Sequence, residues 1–287
     1  MRCAPPAQAR NRKETRMPNV VELDRPRDGV ALVTMNLEES AGFVSWAAID
    51  QLAERLAEAR RGGARVAVLA SALPGHWYGH AWLPDLCNMI EGKQTSGDPT
   101  GWFRALDELS RTTVVTIAAV SGPCAGGGAE LGWACDLRIA EEGATFAQPE
   151  VLLGVSTGVG GTSRLARLIG RTVAAEMVLD GAPMSARRIH ELGGVNRVVA
   201  NGSAVAVALE WASRLASRPP EALAAIKQIL IDNDDLHLRA ALDNEQRIFQ
   251  ETAARPAALS GMRATQARFD AGESIREVYG IPRDHGS

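Results

Sequence analysis

An α/β fold is predicted for this chain by three features of its sequence. Short runs rich in valine, isoleucine and alanine alternate with amphipathic helical segments through the first two-thirds. These runs are apolar throughout instead of alternating with polar residues, the pattern of strands covered on both faces. Strand signals stop near residue 203, and four helical segments follow. Strands and helices in alternation, then helices alone, give a sheet-and-helix core with an appended helical region.

Residues 29–35 read as a strand. Residues 47–60 put Ile49, Leu52 and Leu56 on one face, which is helical spacing, and Gly62-Gly63 ends that helix. Residues 65–70 form a second buried strand, residues 100–111 a helix, and residues 112–120 the most continuous β-rich run. A helical stretch at 131–135 follows a glycine turn. Helices at 204–217, 221–232, 236–255 and 257–271 are punctuated by Pro219-Pro220, Asn233-Asp234-Asp235 and Pro256. The expected organisation is a disordered extension at 1–17, a core at 18–202 and a helical oligomerisation region at 203–287. Residues 1–16 are basic and lack the apolar stretch of a secretory signal. Leu236, Leu238, Leu242, Ile248, Phe249 and Phe269 give the last helices apolar faces that predict packing against another subunit.

The 287 residues are 46% hydrophobic and 23% charged, a globular composition that excludes fibrous or disordered chains. With 31 basic and 34 acidic residues the net charge is -3, which provides no field for nucleic acid or an anionic membrane. No window reaches the ~18 apolar residues of a membrane helix. Cys3, Cys87, Cys124 and Cys135 form no C-x-x-C pair, so neither a disulfide framework nor a metal site is signalled. A reduced, cytoplasmic protein is expected.

Chemistry concentrates in two glycine turns. Ser121-Gly-Pro-Cys-Ala-Gly126-Gly127-Gly128-Ala129-Glu130 follows the strongest strand and opens a helix, where free amides favour negative charge. No G-x-G-x-x-G follows that strand and no G-x-x-x-x-G-K-[ST] occurs, which argues against dinucleotide and P-loop sites. Twenty residues after Glu130, Glu150 stands between Pro149 and Val151-Leu152-Leu153, a setting that raises a carboxyl pKa by desolvation. The second turn is Gly158-Val-Gly160-Gly161-Thr162. Two partly buried carboxylates facing one water suit general acid–base work. A helix cap or a salt-bridge partner is the alternative for either.

Residues 120–199 closely resemble the enoyl-CoA hydratase/isomerase (crotonase) superfamily. The likeness rests on Ser121–Glu130, Cys135-Asp-Leu-Arg-Ile-Ala140, Gln148-Pro-Glu150, the turn running from Gly154 to Arg164-Leu165, Gly170-Arg171, and the segment from Ser185 to Val199. The resemblance implies a crotonase-like spiral of ββα units and a C-terminal trimerisation region, giving a homotrimer or dimer of trimers. It implies an acyl-CoA thioester substrate, with coenzyme A part of that substrate and no further cofactor, and a place in fatty acid metabolism. The implied reaction is syn addition of water to a 2-enoyl-CoA. Glu130 would activate the water and Glu150 would give the proton alpha to the carbonyl. Gly127 and Gly79 would form the oxyanion hole, and His80, Trp82, Gly126 and Gly158 would line the pocket. The same resemblance leaves room for an isomerase, a hydrolase or a C–C bond lyase on an acyl thioester or dicarbonyl substrate. It also leaves room for a weakly catalytic acyl-thioester-binding homologue.

The chain departs from that pattern in three places. In Trp77-Tyr78-Gly79-His80-Ala81-Trp82-Leu83, His80 replaces a glycine and Trp82 an aspartate. His80 reads as a pocket wall, with an added acid–base role as the alternative. Glu38 and Glu39 stand where a coenzyme phosphate favours basic residues. Beyond Lys227, no clear C-terminal lysine offers itself to those phosphates, with Arg276 or Arg283 as substitutes.

Overall fold

The first strand pair closes on Asp28-Gly29, where Gly29 takes φ +68°, a conformation that glycine adopts without steric cost. The computed structural model describes residues 19–280, so the expectations for residues 1–17 and for Arg283 lie outside the described residues. In chain order the strands are β1 (Val21–Arg27), β2 (Val30–Met35), β3 (Val66–Ser71), β4 (Val115–Val120), β5 (Cys124–Ala125), β6 (Leu137–Glu141), β7 (Thr145–Ala147), β8 (Met184–Ser185) and β9 (Arg197–Val199). The helices of the first half are α1 (Trp46–Arg61), α2 (Leu83–Ile90), α3 (Gly101–Ser110) and α4 (Gly127–Ala134). They are followed by α5 (Ser163–Ile169), α6 (Arg171–Asp180), α7 (Ala186–Glu191), α8 (Ala204–Ala216), α9 (Pro220–Asn233), α10 (Leu238–Ala253), α11 (Pro256–Asp270) and α12 (Ile275–Tyr279).

The main sheet runs β1-β2-β3-β4-β6-β9, antiparallel at β1 and parallel from β2 onward. β5, β7 and β8 make a smaller sheet beside it. Every residue of β4 is buried, as its unbroken apolar run predicts for a strand covered on both sides. One face packs on α1, α3 and α4 through Ile49, Leu52, Leu56, Leu106, Leu109 and Leu131. The other face is covered by α8, whose Ala204, Ala208, Ala212 and Ala216 recur every four residues and lie against Val30, Val66, Val68 and Ile117. Sequence reading groups α8 with the appended helices, but by packing it belongs to the sheet.

α9 is tied to the core by Lys227, which is buried with Nζ 2.6 Å from Asp136 Oδ1. Asp136 Oδ2 also accepts the Thr116 N–H in β4 at 2.8 Å. Lys227 is therefore buried and paired inside the fold, not exposed as the sequence expectation of a phosphate contact requires. Among the apolar residues of the last helices, Leu236, Leu238, Leu242 and Phe249 are exposed, whereas Ile248 is buried. No helix among the described residues is long and apolar enough to cross a membrane.

Candidate active site

The first glycine turn brings three chain segments within contact distance. Gly126 sits at φ +51°, and a Cβ there would lie 2.8 Å from His80 Cβ and 3.3 Å from Glu150 Oε1. At Gly128 a Cβ would stand 2.0 Å from the Tyr78 carbonyl oxygen. Glycine at both positions lets the start of α4 press against residues 78–80, with Glu150 beside the junction. Helix α4 then turns Glu130 inward, leaving it 3% exposed.

The second glycine turn supplies the partners of Glu130. Its Oε1 accepts the Val159 N–H at 3.0 Å and the Gly161 N–H at 2.6 Å. Burial pushes the Glu130 pKa up. The Gly161 and Val159 amides, followed by the Arg164 cation, oppose that rise. Glu150 opens a 3-10 turn at Glu150–Leu153. Desolvation, with the Glu130 charge adding to it, pushes Glu150 up to about 7. The Gln148 amide, in the orientation that satisfies its neighbours, donates to Glu150 Oε1 at 2.9 Å and Oε2 at 3.2 Å. Its oxygen accepts the Trp133 indole N–H at 3.0 Å.

Glu130 and Glu150 line one cavity of about 300 Å³ together with Gly127, His80, Ala81 and Gly158. Its apolar wall includes Trp46, Leu86, Met89, Trp102, Phe103 and Leu153. Trp46 and Trp102 are buried in the core and also form part of this wall. Among the described residues, no lysine or arginine lines the cavity. Gly126 backs it without lining it. Trp82 faces a neighbouring cavity of about 230 Å³, with Asn36, Glu39, Gln51 and Ser96, in whose wall the described residues likewise place no lysine or arginine.

The amide of Gly79 is a correction to the sequence expectation. Its N–H donates to the Gly42 carbonyl at 2.7 Å, so it is not free to serve as an oxyanion donor. Two residues on, Ala81 bridges Val44 in parallel: Val44 N–H donates to His80 O and Trp82 N–H to Val44 O. That pairing turns the peptide groups of Ala81 away from Val44. Neither the Ala81 N–H nor the Gly127 N–H, at the first position of α4, has an acceptor among the described residues. His80 holds the same segment from another side. Its ring stacks on Phe43 at 4.3 Å, and Nδ1 lies 2.8 Å from the Ala81 carbonyl.

Residues 25–270 match the family model described as enoyl-CoA hydratase/isomerase. The chain belongs to that family. It is 40% identical over 138 residues to the 2,3-dehydroadipyl-CoA hydratase of Escherichia coli, across 48% of this chain and 54% of that protein. It is 32% identical over 203 residues to the probable mitochondrial enoyl-CoA hydratase 2 of Arabidopsis thaliana, across 70% of this chain and 66% of that one. These alignments span about half to two-thirds of the relatives' length. Its fold superposes on the enoyl-CoA hydratase of Bacillus anthracis with TM-score 0.78 at 26% identity, over 87% of this chain and 96% of that one. A Geobacillus kaustophilus enoyl-CoA hydratase subunit gives 0.76 at 29% identity, over 93% and 98%.

The sequence assigned no functional role to Ala81, to the Val159 and Gly161 amides or to Arg164, although the 154–165 turn carries part of the family resemblance. Glycines on either side of Val159 mark a turn, but only the folded chain shows which amides reach Glu130.

Proposed function

We propose that this chain hydrates a 2-enoyl thioester at the Glu130–Glu150 pair. The observation that carries the reading is the unequal setting of the two carboxylates. Glu130 is held by two amide donors, which favour its charged form, while Glu150, pushed up to about 7, keeps a proton available near neutrality. Glu130 takes a proton from water as the oxygen attacks the β-carbon, and Glu150 delivers its proton to the α-carbon. Negative charge gathers on the thioester oxygen between these events, and the Ala81 and Gly127 amides are its donors. The next water carries the proton from Glu130 back to Glu150, closing the cycle. The apolar side chains of Leu86, Met89, Phe103 and Leu153 along the cavity favour an uncharged acyl chain. The test is turnover of a panel of 2-enoyl-CoA thioesters followed by loss of the conjugated absorbance. The panel contains uncharged chains of increasing length and one ending in a carboxylate. Uncharged members should react fastest, and no loss of absorbance with any member would refute the assignment.

A further inference from the structure

Arg164 stands in the first turn of α5, facing back over the turn that solvates Glu130. Its backbone N–H donates to Gly160 O at 2.8 Å, which starts the helix. Its side chain then doubles back over Gly160, which has φ +126°, so that a Cβ on that residue would come within 2.7 Å of Nη1. Nη1 donates to the Val159 carbonyl at 3.1 Å, and Nη2 to Ser110 Oγ at 3.2 Å. Ser110 is itself fixed, donating to Leu106 O in α3 at 2.7 Å. Val159 is thus gripped from both sides, with its carbonyl on the guanidinium and its N–H on Glu130 Oε1.

We propose that Arg164 is the positioning residue of the Glu130 base, pinning the 158–161 turn so that two amides stay on one carboxylate oxygen and supplying a cation that favours the charged form. This rests on the reading of Glu130 as the base. The two contributions are separable. The fork spans Val159 and Ser110, which a single ammonium cannot do with the same geometry. The charge acts on Glu130 through space, against burial that opposes ionisation. The other groups facing Glu130 are Glu150 and His80 across the cavity. Those facing Arg164 are Arg111 and Asp107 at α3, and Asp234 beyond α9.

The experiment compares Arg164→Lys, Arg164→Gln and Ser110→Ala with the parent. One readout is the pH titration of the Glu130 carboxyl carbon by NMR, assigned by its absence in Glu130→Gln. The other is the split between kcat and KM for an enoyl thioester. Arg164→Gln should raise the Glu130 midpoint by about one pH unit, the smaller end of the effect of a nearby opposite charge. It should also lower kcat roughly 10-fold or more, with KM within about 3-fold. Arg164→Lys should keep the midpoint and still lose kcat, because the charge is restored and the fork is not. Ser110→Ala should keep the midpoint and lose a few-fold in kcat, and it reports on the fork even if an Arg164 variant fails to fold. Midpoint and kcat unchanged in a folded Arg164→Gln would overturn the proposal, as would equal behaviour of Gln and Lys at that position. If the parent hydrates no enoyl thioester, the hydratase assignment fails, whereas the carboxyl titration still decides whether Arg164 sets Glu130.

Discussion

Glu150→Gln separates what the site costs the fold from what it contributes to chemistry. Burial and the charge of Glu130 move Glu150 from 4.5 to about 7. A carboxyl raised in the folded state binds more protons folded than unfolded. Stability therefore falls as pH rises through the interval from about 4.5 to about 7 and stays reduced above it. At 1.36 kcal/mol per pH unit that interval is worth about 3 kcal/mol. Glu150 is only half-buried, so solvent screening reduces the figure to roughly 1–2 kcal/mol. Glutamine has nearly the same shape, carries no charge and keeps an oxygen for the Gln148 amide. The variant should exceed the parent by about 1–2 kcal/mol at pH 8.5 and by little at pH 4.5, while hydration falls at least ~10²-fold. Urea unfolding at the two pH values measures the first quantity and the absorbance assay the second. Identical pH dependence of stability in parent and variant would refute the account of Glu150 as a desolvated acid.

Glu130→Gln should lower hydration at least ~10²-fold, and the double change with Glu150→Gln should cost little more, since groups acting as one unit are not additive. Full activity in Glu130→Gln with none in Glu150→Gln would point instead to proton movement along the chain by Glu150 alone. The hydration rate should rise with pH as Glu130 ionises from its raised value and fall above about 7 as Glu150 loses its proton; a profile flat from pH 6 to 9 excludes this pairing. Replacing the Ala81 amide by an ester should cost ~10²–10³-fold in kcat, whereas the same replacement at Gly79 should leave the oxyanion hole intact. The exposed Leu236, Leu238, Leu242 and Phe249 predict self-association, and light scattering that finds a clean monomer at micromolar concentration would rule it out.

Strong local periodicity made much of the fold legible. Residues 47–60, 65–70 and 112–120 became α1, β3 and β4 within a few positions, because α1 buries one apolar face and the two strands are buried on both of theirs. β1 escaped because Val-Glu-Leu-Asp-Arg-Pro-Arg is an edge strand with mostly exposed side chains, held by pairing with β2 and not by its own pattern. α2 escaped for a related reason: it is eight residues long, its Leu86 both touches the core and lines the cavity, and its Met89 and Ile90 line the cavity with exposed side chains. An apolar residue kept for a ligand looks the same in sequence as one kept for the interior.

The site shows where motif reading stops. Glu130 and Glu150 could be named because short motifs fix which side chains are present, and the glycines around Glu130 have visible steric reasons. Which amide is free is a different kind of fact. The N–H of Gly79 is consumed by Gly42, and Ala81 is turned towards the cavity by its pairing with Val44, contacts between residues 37 positions apart in the chain. No local rule reads that pairing from Trp77–Leu83. The same holds for Arg164, whose role depends on Ser110 from a different helix and on Glu130 from a third. The two candidate carboxylates are thus written locally, but the amides around them are set by long-range packing. Variation that spares both glutamates can still dismantle the site by moving residues 42–44 or 158–164.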